Sequence, residues 1–363
     1  MILLFNQNFV RMMKESLYDR LTILILMLFI ITGCGVLKNE RRETVVSIRG
    51  DKWYYNGQVI NAGSPAEGLL MNVRMVNAVF EDRGLNRPER YKEFNPAMNT
   101  DAFISMIPEY VSSGVNAFTI SLQGGTPGYE WAVNTAFNAD GSLRADYMAR
   151  VEKVISACDK NQAVVNLTCF YQRQHSHFSA LSGKESIKHA LRNTVEWIRE
   201  KRFTNVTLEI SNEYSHGGFR NWQQGAWLMS EAGQVELIRL AKQLHPHLLV
   251  STSGIGDGKL HRSLIEAADF LLLHFNSTSI NEYASIIAEL KKTGKPVVCN
   301  EDDKINNKGA MALKESVLNG AGWGYMNLQK NQTFPFTFEG VNDDPEVYDM
   351  FSNVTTPGIS TIK

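Results

Sequence analysis

An α/β fold, a (β/α)8 barrel of the TIM type preceded by a small N-terminal β-hairpin, is predicted by three observations. Short apolar segments alternate with amphipathic helical patterns from Leu69 onward, which is how parallel βαβ units read in sequence. Eight such segments occur, and no internal repeat or low-complexity linker divides them. The 363-residue length is one that a single α/β barrel fills.

The first 34 residues stand apart. Leu21 to Thr32 carries almost no polar side chain, follows Lys14 and Arg20, and precedes Gly33-Cys34. That layout is a bacterial export signal, and the run falls short of the roughly 20 residues a membrane span needs. Ile31-Thr32-Gly33-Cys34 resembles a lipobox, so Cys34 is the expected lipidation site and the cell envelope the expected location, reached through a lipid anchor in the membrane. A single catalytic barrel domain is expected over 44–363.

Within that domain, Thr44 to Ile48 and Lys52 to Tyr55 precede Asn56-Gly57, a hairpin turn signal, and the hairpin is expected to plug the bottom of the barrel. The strands are expected at Leu69 to Val76, Ala117 to Leu122, Val164 to Tyr171, Val206 to Ser211, Leu248 to Thr252, Phe270 to Phe275, Pro296 to Asn300 and Trp323 to Leu328. Helical patterns fall between them at Asp101 to Ser112, Ala145 to Lys160, Lys184 to Arg202, Ser230 to His245, Ser263 to Ala268, Ile280 to Thr293 and Gly309 to Asn319. Pro108 predicts a kink or a later start in the first helix. After Thr333 the pattern gives a loop and a short last helix.

Composition narrows the function classes. With 44% hydrophobic residues, 21% charged residues and a net charge of -1, nothing points to nucleic acid as a partner. Cys158, Cys169 and Cys299 fall in predicted elements without metal-ligand spacing and read as small buried residues. His175 and His177 form an i, i+2 pair that lacks a third ligand in suitable context, so no metal is assigned.

Reactive groups of such barrels sit at the C-terminal ends of the strands. Strand four ends in Asn212-Glu213 and strand seven in Asn300-Glu301, 301 − 213 = 88 residues apart. These strands face each other across an eight-stranded barrel. Two carboxyls about 5–5.5 Å apart cleave a glycosidic bond with retention, one protonating the leaving oxygen and one attacking the sugar. An Asn-Glu ending strand four and a Glu ending strand seven resemble the clan A retaining glycoside hydrolases, which include cellulase-like barrels. The resemblance covers about Leu69 to Leu328. It implies Glu213 as acid/base, Glu301 as nucleophile, and Asn212 as the partner of the sugar 2-hydroxyl. It also implies Arg74 beneath the nucleophile and Trp323 as an aromatic platform.

His274, ending strand six, is a candidate for a carboxylate or a substrate hydroxyl, and Gln123 and Tyr171 are candidates for substrate hydroxyls. Arg74 is equally a candidate salt-bridge partner of Glu209, which alternation points into the barrel. The expected charge of Glu301 would raise the pKa of Glu213 and keep it protonated. No metal or organic cofactor is required, and the expected partner is a carbohydrate. The alternative is a surface carbohydrate-binding protein that has the barrel and not the hydrolysis. A lyase or aldolase would bring a Schiff-base lysine or metal ligands to the strand ends, and the sequence shows neither. The loops Gln123 to Trp131, Gln172 to Gly183 and Tyr214 to Trp227 are expected to set specificity.

Overall fold

The computed structural model describes residues 44–359, apart from 86, 125–127, 130–131 and 173–180. Cys34, with the rest of the expected export signal, and the His175/His177 pair lie outside the described residues. Among the described residues, no helix is long and apolar enough to cross a membrane.

The chain first forms a three-stranded antiparallel sheet, β1 (Val46–Arg49), β2 (Lys52–Tyr55) and β3 (Gln58–Val59). Asn56 and Gly57 both take positive φ, 49° and 82°, as a tight turn twisted with its strands requires. That turn joins β2 to β3, so the hairpin predicted from sequence carries one more strand. Trp53 is 1% exposed and meets Phe270 edge-on at 5.0 Å. It packs with Leu70, Ala117, Val164, Leu272 and Val298, which stand at or just before the starts of barrel strands. The small sheet therefore closes the bottom of the barrel.

All eight predicted strands form: β4 (Met71–Arg74), β5 (Ala117–Ser121), β6 (Val164–Tyr171), β7 (Val206–Asn212), β8 (Leu249–Ser251), β9 (Leu271–His274), β10 (Val297–Glu301) and β11 (Trp323–Tyr325). β11-β4-β5-β6-β7-β8 pair side by side, and β9 pairs with β10, in parallel throughout. Single bridges close the ring, Ser253 to Leu272 on one side and Val298 to Gly322 and Asp302 to Tyr325 on the other.

A helix follows each strand: α1 (Pro96–Ser112), α2 (Ala145–Lys160), α3 (Lys184–Glu200), α4 (Glu231–Leu244), α5 (Arg262–Ala267), α6 (Ile280–Lys291), α7 (Asn306–Leu318) and α8 (Pro345–Thr355). α1 departs from expectation. It starts five residues early and runs through Pro108. Asn95 caps it, its Oδ1 accepting from the N–H groups of Ala97 and Met98, and Pro96 takes the first turn, where a missing N–H costs nothing.

Alternation along the strands sorts the core. Outward residues such as Leu208 and Ile210 of β7 join the large apolar layer under the helices, together with Val151 of α2 and Leu191 of α3. Inward residues change character with height. The lowest layer is apolar and rests on Trp53. Above it Asn72, Thr119, Asn166, Thr168, Thr207 and Asn300 surround Glu209, which is 0% exposed. The uppermost inward groups are charged. Cys158, Cys169 and Cys299 are free and buried, as their positions predict.

Trp53→Ala should therefore leave a large void between plug and barrel. An expected loss of about 3–5 kcal/mol in urea unfolding follows from comparable aromatic truncations. A loss under about 1 kcal/mol would show that the small sheet does not seal the core.

Candidate active site

Two backbone irregularities aim the two glutamates. On β10, Cys299 pairs with Leu273 and Glu301 with His274, so Asn300 is an extra residue in the ladder. Strict alternation would put Asn300 inside and Glu301 outside. The bulge lets both face the barrel axis, as bulges near reactive sites do. At the end of β7, Glu213 holds φ at 49°, a left-handed value costly for a residue with a side chain. Its N–H donates to Ser253 Oγ at 3.0 Å, and its carbonyl accepts from the His216 N–H at 2.8 Å.

The carboxylates meet at the C-terminal mouth of the barrel in a cleft of about 430 Å³, whose wall includes Arg74, Tyr171, Gln172, His216 and Asn276. One oxygen of Glu213, one of Glu301 and a ring nitrogen of His274 all lie within 4.8 Å of one another. Arg74 Nη1 stands 2.9 Å from Glu301 Oε2, with both side chains almost fully buried. Asn276 Nδ2 donates to the other oxygen, Oε1, at 2.6 Å. His274 Nδ1 stands 3.4 Å from Glu213 Oε1 and 3.6 Å from Glu301 Oε2. Gln172 Nε2 donates to Glu213 Oε2 at 2.7 Å, while Gln172 Oε1 accepts from Asn212 Nδ2 at 3.0 Å.

Charge follows from these contacts. Burial alone would push the Arg74 guanidinium down, and the Glu301, Tyr171, Glu209 and Glu213 charges outweigh it and hold it above its ordinary value. Burial likewise opposes a charged His274, yet Glu301, then Glu213, then Glu209 raise its imidazole overall. Burial pushes the Glu213 carboxyl up, and the contact and charge of His274, with His216 and Arg74, bring it below its ordinary value. This differs from the sequence expectation of a protonated Glu213 in the free protein. The expectation counted Glu301 as its neighbour and omitted the imidazole standing between them.

Two carboxylates and an imidazole resemble a metal ligand set, but the donors do not fit one. The oxygen of Glu301 nearest His274 is the one paired with Arg74, whose fixed positive charge would sit against any bound cation.

Several expected site residues prove to be elsewhere. Trp323 is no platform: it is 0% exposed, donates from Nε1 to Asp302 Oδ2 at 2.9 Å, and packs on Phe351 of α8. It stands at the first position of β11, at the level of Met71, with its ring among the helices, while Met326 and Leu328 beyond the strand line the cleft. Gln123 is also 0% exposed and outside the cleft. Its Nε2 donates to Thr135 Oγ1 at 3.2 Å and its Oε1 accepts from the Tyr171 N–H at 3.4 Å, so both ends of the amide brace a loop. Asn212 lies 1% exposed behind the cleft wall, its Nδ2 committed to Gln172. Arg74 pairs with Glu301, and Glu209 takes its hydrogen bonds from Thr168 and Asn166. Tyr171 does line the cleft.

Gln172 and Asn276 were not singled out from sequence. The period-two alternation that placed His274 would have flagged Asn276, two residues on. Gln172 carries no such signal, because it lies one residue past β6. A larger groove of about 1260 Å³ lies outside the barrel between α3 and α4 and contains neither glutamate.

Arg74→Met should strand the Glu301 charge in a buried site, an expected loss of about 3–5 kcal/mol in urea unfolding. Adding Glu301→Gln should restore part of it, since no charge then remains unpaired. A double variant as unstable as the sum of the two single variants would show that the pair is not coupled.

No family model and no curated protein matches the sequence. Solved structures do match. A candidate glycoside hydrolase from Bacteroides vulgatus superposes with a TM-score of 0.58 at 12% identity, over 86% of this chain and 61% of that one. The chain thus spans less than two thirds of that protein. A GH5-4 broad-specificity endoglucanase from Ruminococcus flavefaciens gives 0.56 at 12% identity, over 79% of this chain and 96% of the other. The endo-1,4-beta-mannanase of Rhizomucor miehei gives 0.55 at 11% identity, over 86% and 97%. At these identities the likeness establishes the architecture: the chain has the (β/α)8 barrel fold of the cellulase-like glycoside hydrolases.

Proposed function

We propose that this protein is a retaining glycoside hydrolase acting on a poly- or oligosaccharide, with Glu301 as nucleophile and Glu213 as acid/base. The observation that carries the reading is the meeting of the two carboxylates, one just past β7 and one on β10, with an oxygen of each within 4.8 Å in one cleft. Oxygens this near one another support direct attack on the anomeric carbon over the arrangement with a water between the carboxyls that inversion requires.

Glu301 has the surroundings of a nucleophile. Arg74 and Asn276 hold its two oxygens, which fixes the direction of the carboxylate. As Glu301 attacks, a proton on Glu213 passes to the departing oxygen, and the sugar is left as an ester on Glu301. Glu213 then takes a proton from water, and the hydroxide equivalent releases the sugar and regenerates Glu301. Tyr171 and the wall around His216 are the nearest candidates for substrate hydroxyls.

The activities named for structural neighbours, on mannan and glucan, make those polymers and xyloglucan the first substrates to test. Anchoring of the enzyme in the cell envelope through a lipid on Cys34 is part of the same proposal and rests on the sequence from Leu21 to Cys34.

The test is a pair of substitutions with chemical rescue. Glu213→Ala and Glu301→Ala should each reduce turnover of an aryl glycoside on the order of 100-fold or more. Azide should rescue one of the two and yield a glycosyl azide whose anomeric configuration identifies the role of the missing group. Full activity in either variant would remove that residue from the mechanism, and saturable binding without turnover in the unaltered protein would favour a binding role.

A further inference from the structure

The mechanism needs Glu213 protonated when substrate arrives, yet the free cleft holds it toward the ionised form. The side chains around it say where the proton waits. Asn212 Nδ2 donates to Gln172 Oε1 at 3.0 Å, which fixes the orientation of the Gln172 amide. Gln172 can then present only Nε2 to Glu213, donating to Oε2 at 2.7 Å. An oxygen already accepting a short hydrogen bond is the poorer site for a proton, so the acid form of Glu213 carries its proton on Oε1. Oε1 is the oxygen that faces His274 Nδ1, at 3.4 Å.

We propose that His274 is the proton store of this pair, keeping at Nδ1 the proton that Glu213 delivers through Oε1 to the leaving oxygen and later recovers from water. The inference takes its chemical use from the hydrolase reading.

The surroundings of the ring fit this role. His274 is 0% exposed, and its Nδ1 meets the Glu213 and Glu301 carboxylates and not bulk water. Glu213 and Glu209 face it from β7 and Glu301 from β10, while Arg74, on β4, lies beyond Glu301 and is paired with it. Three carboxylates against one guanidinium leave a place for one more positive charge, and the ring occupies it. Among the described residues Nε2 has no hydrogen-bond partner, so none of them locks the ring into one tautomer. The 3.4 Å separation is at the outer limit of a hydrogen bond, and such contacts tighten when substrate fills a site.

The proton count closes over a turnover. At rest, Glu213 and Glu301 are ionised and His274 is protonated. On attack, the Glu301 oxygen forms the ester bond as the glycosidic C–O bond breaks. The proton moves from Nδ1 to Oε1 and on to the departing oxygen, leaving His274 neutral. Water then attacks the anomeric carbon as the ester C–O bond breaks and the Glu301 carboxylate leaves, the water's proton passes through Glu213 Oε1 to Nδ1, and the starting charges return.

The substrate-free protein can be tested directly. In full-length protein labelled with 15N-histidine, with the His274 signals identified by their loss in His274→Gln, the ring should remain an imidazolium at pH 7. Glu213→Gln, which keeps the shape and removes the charge, should lower its midpoint by about one pH unit or more. A ring already neutral at pH 6 in the unaltered protein would overturn the proposal without need of any variant. So would a midpoint that Glu213→Gln leaves in place. On an aryl glycoside that the protein cleaves, His274→Gln should lower kcat/KM on the order of 100-fold for an unactivated phenol and far less for dinitrophenol, whose departure needs no proton. Equal losses for both would assign the histidine a structural part only. Absence of turnover with the titration intact would count against the hydrolase reading alone.

Discussion

The buried contact between Arg74 and Glu301 is the constraint around which the barrel mouth is arranged. At 2.9 Å and an effective dielectric near 20, the attraction is about 6 kcal/mol, and burial of the two ions costs several kcal/mol each. The pair therefore adds little net stability. Its effect is chemical: Arg74 fixes the Glu301 carboxylate at the mouth, and the charge of Glu301 draws the neighbouring His274 toward its charged form.

Holding that contact requires the backbone to break its own pattern. The bulge at Asn300 turns Glu301 inward and returns Asp302 to the outer face. There Asp302 accepts from Trp323 Nε1, Tyr283 Oη and Lys304 Nζ, and its backbone ties β10 to β11 through Gly324 and Met326. Trp323 thus serves Glu301 from behind, as part of the clamp that fixes the next residue. Gly324 fits the same arrangement, because a Cβ there would come within 2.6 Å of the Asn300 backbone. The bulge, the glycine and the outward tryptophan are one packing solution.

The sequence was a good guide to what repeats and a poor one to what does not. Eight apolar segments with helices between them carry the barrel's periodicity, and each strand lies within a few residues of its expected limits. The placement of Glu213, Glu301, Arg74 and His274 at one mouth also follows from that periodicity, because strand ends of a closed barrel share a rim. Trp323 and Gln123 misled because residue type was read without height or face: one begins its strand, and the other turns into a loop bridge. The start of α1 was missed for a local reason, a cap at Asn95 that outweighs the proline further on. Gln172 was invisible because its importance lies in two contacts, to Asn212 and Glu213, that only the folded chain creates.

The polar layer beneath the mouth gives these parts a common electrostatic purpose. An apolar interior would have packed more easily, and a buried carboxylate at Glu209 must be satisfied by Thr168, with Asn166 and Asn300 beside it. One of its oxygens, Oε1, has no hydrogen-bond partner among the described residues. What Glu209 adds is negative potential directed upward at both Arg74 and His274. Cations at the mouth are thereby favoured from below, Arg74 as a permanent one and His274 as one that can be given up. In the proposed mechanism a nucleophile needs the first kind of neighbour and an acid/base the second, and the layer beneath the mouth favours both.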